Sequence, residues 1–205
     1  MPMFLIRPPV IFRLFNKKYL LTELNPDRKL IWLTFDDGPV PEVTPGVLDL
    51  LNQREVKATF FLVGNNVAKH PEIYRMIIEQ GHSVGNHTYN HVNGWKTPAR
   101  EYAENVSLCN DFFTTTFFRP PYGRFTPSQY FLLRKSFRFI LWSVLSGDFR
   151  KDITPDQCLK NVLNHTKSGS IVVFHDSLKA REKMLYTLPR FIDAFREKGF
   201  SFITL

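Results

Sequence analysis

Short apolar runs recur along the chain, and almost every one is followed by a longer stretch with helical periodicity. Short runs rich in apolar and β-branched residues, bounded by turn residues, are typical of buried strands. Seven such runs predict strands at residues 31–35, 58–63, 82–86, 116–118, 137–144, 171–174 and 200–205. Strands that alternate with helices favour a parallel sheet covered by helices.

Threonine–proline pairs mark several expected helix starts, because threonine can cap a helix and proline fits its first turn. The pairs stand at residues 44–45, 97–98, 126–127 and 154–155, and Pro71 can open a helix in the same way. Glutamine follows three residues after Thr126 and Thr154, which predicts capping boxes. Pro189 interrupts the last helical pattern, near residues 184–198, and predicts a kink or a split there.

Polar residues follow five of the predicted strands directly or within a few positions. They are Asp36 and Asp37, Asn86 and His87, Arg119, Asp148, and His175 and Asp176. In a closed βα barrel all strand ends converge on one rim, whereas an open sheet gathers fewer of them. The pattern therefore predicts an α/β fold, a single-domain irregular barrel of about seven parallel strands.

Composition narrows the function classes without choosing one. The chain has 205 residues, which is enough for one sizeable core, and a net charge of +8. This charge is compatible with an anionic partner, but no nucleic-acid motif accompanies it, so we expect no nucleic acid. Cys109 and Cys158 match no metal or redox spacing, and we expect them to be reduced residues in or near the core.

The first 20 residues are apolar and basic, as in a targeting segment. Arg7 and Arg13 interrupt the apolar run, Pro8 and Pro9 break any helix, and no small-residue cleavage site follows. We interpret residues 1–29 as a lead-in that packs on a domain of residues 30–205, with weak membrane-surface contact as an alternative. The lack of a signal peptide favours the cytoplasm, while an envelope-associated location stays open. Nowhere is an apolar stretch long enough to cross a bilayer.

Four short motifs could carry chemistry, although each has an ordinary structural explanation. Residues 34–39 (TFDDGP) place two carboxylates at a turn after a strand, and residues 87–91 (HTYNH) place two histidines four apart, as on one face of a helical turn. Residues 119–123 (RPPYG) follow a strand with a fixed backbone, and residues 171–176 (IVVFHD) end a buried strand in an imidazole. Surface histidines, an Asx turn, a rigid surface turn or a capped strand end would explain them separately.

Taken together and in this order, the four motifs resemble those of the polysaccharide deacetylases, the NodB-homology group or carbohydrate esterase family four. The resemblance runs from about residue 30 to the last residue. It implies a distorted (β/α) barrel of about seven strands and one divalent metal ion. Zinc is the favoured ion, with cobalt, nickel and iron(II) as alternatives. The implied activity is hydrolytic removal of N-acetyl groups from an amino-sugar polysaccharide or oligosaccharide, peptidoglycan- or chitin-like.

The resemblance also implies a role for individual residues. Asp37, His87 and His91 would be metal ligands, Asp36 the general base, and His175 the general acid. Arg119 would orient the base, and Asp148 would tune the acid. The backbone N–H of Tyr122 would help hold the oxyanion, and Val173 would line the acetyl pocket.

Two positions depart from the family pattern. Phe149 stands where tryptophan is common, and Leu145 stands where many members carry an acid. These departures leave substrate shape and polarity open, and Phe149 keeps a predicted place in substrate binding. They also motivate the alternative of a glycan-binding protein without turnover. A second alternative is an iron(II) oxygenase, since two histidines and one carboxylate also form that site. The oligomeric state is not predicted.

Overall fold

Nine strands form the sheet of the protein in a computed structural model that describes residues 20–205. The strands are β1 Leu20–Leu21, β2 Leu30–Asp36, β3 Thr59–Leu62, β4 Ser83–Asn86, β5 Phe117–Phe118, β6 Arg138–Ile140, β7 Val144–Leu145, β8 Ile171–His175 and β9 Ser201–Ile203. The α-helices are α1 Thr44–Gln53, α2 Gly64–Lys69, α3 Pro71–Glu79, α4 Ala99–Ser107, α5 Pro127–Leu133, α6 Pro155–His165 and α7 Arg181–Glu197. Every pairing between these strands is parallel, as the alternation of strands and helices predicts.

The strand order is β1-β6-β5-β4-β3-β2-β8-β7, and β9 pairs with the first half of β2. Only residues 141–143 separate β6 from β7, yet these strands lie close to opposite edges of the sheet. In this crossing segment the Leu141 N–H donates to Leu21, and the Ser143 N–H donates to Ile171 on the other side. The chain thus joins the two edges and bends the sheet into the predicted barrel.

The number of strands differs from the prediction of about seven for two reasons. The run predicted at 137–144 is two strands, because its backbone changes partner from β1 to β8 at the crossing segment. In addition, β1 lies inside the predicted lead-in and pairs with β6. Residues 1–19 of that lead-in lie outside the described residues. The domain boundary at residue 29 stays a prediction.

Aromatic residues from the sheet and from the helices that cover it fill the core. Phe35 on β2 stacks on Phe60 of β3 with 5.0 Å between ring centroids, and Phe174 of β8 contacts Phe191 of α7. Cys109 and Cys158 are buried and free, as predicted. Within residues 20–205 no helix combines the length and the apolar character needed to cross a membrane.

The capping predictions are half right. Thr126 and Thr154 form the predicted capping boxes of α5 and α6. Thr44 and Thr97 do not cap α1 and α4, because each hydroxyl has another partner: Thr44 donates to Asp176, and Thr97 donates to the carbonyl of Asn93.

The last helix is longer than its proline suggests. Residues Arg181–Glu197 form one helix with Pro189 inside it, so the split that was one of two predicted outcomes is wrong. Leu188, Phe191 and Ile192 around the proline are fully buried. Their burial offsets the cost of the missing hydrogen bond, which is about 3 kcal/mol for an interior proline.

Candidate active site

The neighbouring strands β2 and β8 bring the first two candidate residues together. Asp36 and His175 are register partners at the ends of these strands, and Thr34 and Val173 are partners two residues earlier. Because side chains alternate along a strand, each pair projects from the same face of the sheet. The predicted base, the predicted acid and the predicted acetyl-pocket residue thus lie in one small area of the barrel rim.

Arg119 follows β5 and is fully buried in the barrel interior. Its guanidinium donates to Asp36 over 2.6 Å and to Thr34 over 2.8 Å, and it also donates to the carbonyls of Ile140 and Leu141. Four acceptors hold a rigid planar cation, so one oxygen of the Asp36 carboxylate is fixed in direction.

Asp37, His87 and His91 form the group of possible metal ligands in the described part of the chain. One donor atom from each residue lies within 4.8 Å of the other two. Asp37 Oδ1 is 3.1 Å from His91 Nε2 and 3.9 Å from His87 Nε2. His87 Nδ1 is 2.7 Å from the Arg119 carbonyl oxygen, and an N–H donated there leaves Nε2 as the electron-pair donor. One carboxylate and two imidazoles in this arrangement fit a divalent ion such as zinc.

The two histidines do not lie on a helical turn, so that part of the prediction is wrong. Residues 87–93 are irregular, and Thr88 and His91 have φ angles of 63° and 52°. The side chain of Asn86 accepts from the Thr88 N–H, and that of Asn105 accepts from the Tyr89 N–H, so side chains replace helical hydrogen bonds. The i, i+4 spacing nevertheless brings the two rings to 5.1 Å between centroids.

The charges of the group suit a metal site. Burial lowers the pKa of His87 to about 4, so the ring is neutral at neutral pH, as a metal ligand must be. Burial alone would raise the pKa of Asp37, but the hydrogen bond to His91 and the charge of His175 outweigh it, and the pKa lies far below its ordinary value. Asp37 is thus a carboxylate at all ordinary pH values.

His175 has the opposite character. Its Nδ1 is 2.8 Å from Asp148 Oδ1, and its backbone N–H donates to Asp148 Oδ2 over 2.7 Å. Burial would lower the pKa of His175, but Asp148 and then the carboxylates of Asp37 and Asp36 raise it to about 9. The Phe149 and His175 rings form a T-shaped contact with 4.8 Å between centroids. His175 is therefore an imidazolium at neutral pH, held in one orientation.

An open cleft of about 330 Å³ lies beside the possible metal ligands. Tyr122, with a φ of 61°, lines the cleft, and its exposed ring is 4.8 Å from the His91 ring. Lys179 also lines it, with its Nζ 3.1 Å from Asp37 Oδ2. Sequence reasoning missed Lys179, because a lysine four residues past a strand end is ordinary on a protein surface.

Asp176 was noted as a strand-end residue but given no role. Its carboxyl group is buried and accepts from the Gly38 N–H and the Thr44 hydroxyl, and burial raises its pKa to about 8. A β-carbon on Gly38 would lie 2.0 Å from the Asp176 carboxyl oxygen, so only glycine fits there. Asp176 therefore fixes the loop that carries Asp37. Gly38 and Asp176 both lie in recognised motifs, but nothing in the sequence indicates that they contact each other.

Comparison with known proteins identifies the family. The family model described as polysaccharide deacetylase matches residues 23–135. A peptidoglycan-N-acetylglucosamine deacetylase of Bacillus cereus is 35% identical over 92% of this chain and 72% of its own length. A chitooligosaccharide deacetylase of a Bradyrhizobium species is 31% identical over 83% of this chain and 86% of its own length.

Solved structures agree in fold. The Bc1960 peptidoglycan N-acetylglucosamine deacetylase, in complex with an N-hydroxybenzamide compound, superposes with a TM-score of 0.86 at 33% identity, covering 97% of this chain and 95% of that one. A pseudoenzyme of family CE4 from Bacillus anthracis superposes with a TM-score of 0.81 at 26% identity, covering 89% of this chain and 66% of that one. The fold, the order of the motifs and the sequence match agree, and the chain belongs to the polysaccharide deacetylase family.

Proposed function

We propose that this chain is a metal-dependent hydrolase that removes N-acetyl groups from an amino-sugar polysaccharide or oligosaccharide. One observation carries the proposal: a fixed carboxylate, Asp36, and an imidazolium, His175, stand side by side next to Asp37, His87 and His91. Hydrolysis of an amide needs a base for water and an acid for the leaving amine, and these two groups match that need.

Asp37, His87 and His91 would hold the metal ion. Three protein ligands are typical of catalytic zinc sites, and the same donors accept cobalt, nickel or iron(II). When bound, the ion supplies Lewis acidity, which polarises an acetamide carbonyl and lowers the pKa of water. Asp36 would stay free to act as the base, because its carboxylate already accepts a hydrogen bond from Arg119.

The protein groups divide the proton transfers between them. Asp36 accepts the proton of the attacking water, and the Arg119 cation keeps its carboxylate in place. His175 donates its proton to the departing amine, which leaves poorly as an anion. Asp148 keeps that imidazole protonated and correctly turned. The backbone N–H of Tyr122 helps hold the charge that develops on the carbonyl oxygen.

Substrate selection follows from the apolar residues of the rim. Val173, two positions before the acid His175 on β8, has Leu145 of β7 as its register partner. With an aliphatic residue at 145 instead of an acid, this pair suits a methyl group. Phe149, packed on His175, offers a flat apolar face to the sugar. The relatives named as peptidoglycan and chitooligosaccharide deacetylases support an N-acetylglucosamine-containing substrate.

The test is acetate release from peptidoglycan and from N-acetylated chito-oligosaccharides. Asp36→Asn should keep metal and fold but lose about 100-fold or more in rate, the scale of general acid–base catalysis. Asp193→Asn is a matched control, because Asp193 pairs with Arg54 on the surface, and it should leave the rate unchanged. Full activity of the Asp36→Asn protein would contradict the base assignment. Glycan binding without acetate release by the unaltered protein would favour the non-catalytic alternative, which the pseudoenzyme relative illustrates.

A further inference from the structure

A tryptophan stands out on the surface near the cleft. Trp95 lies in the short 3₁₀ turn Gly94–Lys96 and is 66% exposed. Tryptophan is enriched at binding interfaces, because it combines a large apolar face with a polar N–H. None of the four catalytic motifs includes this residue.

The turn that carries Trp95 is rigid. The buried side chain of Gln129 donates to the carbonyls of Gly94 and Thr97, and the side chain of Asn93 accepts from the Trp95 N–H. A β-carbon on Gly94 would lie 2.4 Å from the Arg124 carbonyl oxygen, so the turn is pressed directly onto that backbone. An aromatic ring held out by so many contacts is preorganised, which lowers the entropic cost of binding a ligand.

A continuous surface connects Trp95 with the candidate metal group. The Arg124 guanidinium lies 4.7 Å from the centre of the Trp95 ring and 6.0 Å from that of Tyr122. The Tyr122 ring in turn lies 4.8 Å from the His91 ring. We call Trp95, Arg124 and Tyr122 the Trp95 strip. It starts beside a candidate metal ligand and leads away from it.

We propose that the Trp95 strip binds a second sugar unit of the same glycan chain, next to the acetylated unit in the cleft. The C–H face of a pyranose ring is apolar and matches the flat face of an indole in shape and size. The Arg124 guanidinium lies over one face of the Trp95 ring, so the sugar stacks on the other face. The N–H groups of the guanidinium donate hydrogen bonds to hydroxyl or acetamide oxygens of the glycan. This inference rests on the proposed function, and it adds that residues outside the four motifs, above all Trp95, bind the neighbouring unit.

Binding tests the strip without turnover. An Asp36→Asn background slows hydrolysis about 100-fold or more, so binding can be measured before turnover, and the probe is N-acetylated chitotetraose. The chain has three tryptophans: Trp32 is buried, Trp142 is half-buried against Gly123, and Trp95 is the most exposed of them. The part of the fluorescence change on titration that Trp95→Phe removes is therefore the part assigned to Trp95. Trp95→Phe should remove that part but keep most of the affinity measured by calorimetry, because phenylalanine still stacks. Trp95→Ala should weaken the affinity about ten-fold, a typical loss for one well-packed aromatic contact.

Phe131→Ala is the matched control, since Phe131 is an aromatic residue with 58% exposure that lies 4.8 Å from a guanidinium, that of Arg134, and is not part of the Trp95 strip. It should leave the affinity unchanged. In the active protein, Trp95→Ala should reduce kcat/KM more for the N-acetylated tetramer than for single N-acetylglucosamine, which has no second unit to reach the strip. Equal affinity of the Trp95→Ala and unaltered proteins for the tetramer, or no binding at all, would overturn the strip. Failure of acetate release with intact, Trp95-dependent binding would refute the proposed hydrolysis and leave the strip standing.

Discussion

The pair of His175 and Asp148 gives a prediction that can be worked out from the structure. The rise of the His175 pKa from 6.5 to about 9 corresponds to roughly 3 kcal/mol of preference for the imidazolium. Burial opposes this rise, and Asp148 is the largest contribution in favour of it. Asp148→Asn keeps the shape but removes the charge. In the unaltered protein both carboxylate oxygens of Asp148 accept hydrogen bonds, one from His175 Nδ1 and one from the His175 backbone N–H. Asparagine has only one acceptor oxygen, so it can keep only one of these two hydrogen bonds.

In the Asp148→Asn protein we expect the pKa of His175 to fall by about two or more, in line with loss of a buried opposite charge. With a pKa near 6.5, only about one molecule in ten would carry the proton at pH 7.5, instead of nearly all of them. The alkaline limb of the kcat/KM profile for acetate release should therefore move to lower pH. A bound divalent ion lowers the pKa of His175 in both proteins, so the displacement between the two profiles is the measured quantity.

Stability offers an independent measurement of the same pair. A group with a raised pKa in the folded state stabilises the fold below its unfolded pKa, here 6.5, and this contribution is lost as pH rises through about 9. The loss of thermal stability in Asp148→Asn should accordingly be larger at pH 6 than at pH 9.5. If the alkaline limb stays in place and the stability difference does not vary with pH, Asp148 does not hold the proton on His175.

Two further predictions concern the ligands and the buried arginine. His87→Ala or His91→Ala should abolish stoichiometric metal binding, measured by elemental analysis, and acetate release together; activity that survives without metal would sink the metal assignment. Arg119→Met should destabilise the fold by about 3–5 kcal/mol in chemical denaturation, because it leaves the Asp36 carboxylate without its buried partner. A Arg119→Met, Asp36→Asn double variant should recover part of that loss, and a double variant no more stable than the single one would contradict the explanation.

Much of the fold could be predicted because local pattern and tertiary structure agree. Six of the seven predicted strands appear near their predicted positions, since buried parallel strands leave continuous apolar runs in the sequence. The division into β6 and β7 could not be predicted, because an apolar run gives no sign of where its backbone changes partner. Thr44 does not act as a cap for a similar reason, namely a tertiary contact that the local sequence does not reveal. Its hydroxyl donates to Asp176, which is 132 residues away in sequence.

The candidate site divides in a similar way. Residues within recognisable motifs are placed together by the structure, among them Asp37 with the two histidines and Asp36 with Arg119. Contacts made by isolated residues could not be foreseen. Lys179, which lines the cleft, and Trp95, which is connected to Tyr122 through Arg124, belong to no motif, and their positions depend on the path of two loops. Irregular loops leave little periodic signal in a sequence, although they form the surface that a substrate meets.

The Arg119 side chain ties three separate parts of the barrel to one another, and this has a consequence for how the protein can change. Arg119 itself follows β5, and its donors reach the end of β2, the carbonyl of Ile140 at the end of β6 and the carbonyl of Leu141 in the crossing segment. The orientation of Asp36 and the closure of the barrel therefore depend on the same side chain. A substitution in the crossing segment, away from the glycan, would slow the reaction and leave glycan affinity intact. New substrate preferences would have to arise in the outer loops, where side chains can be replaced without disturbing the hydrogen bonds of Arg119.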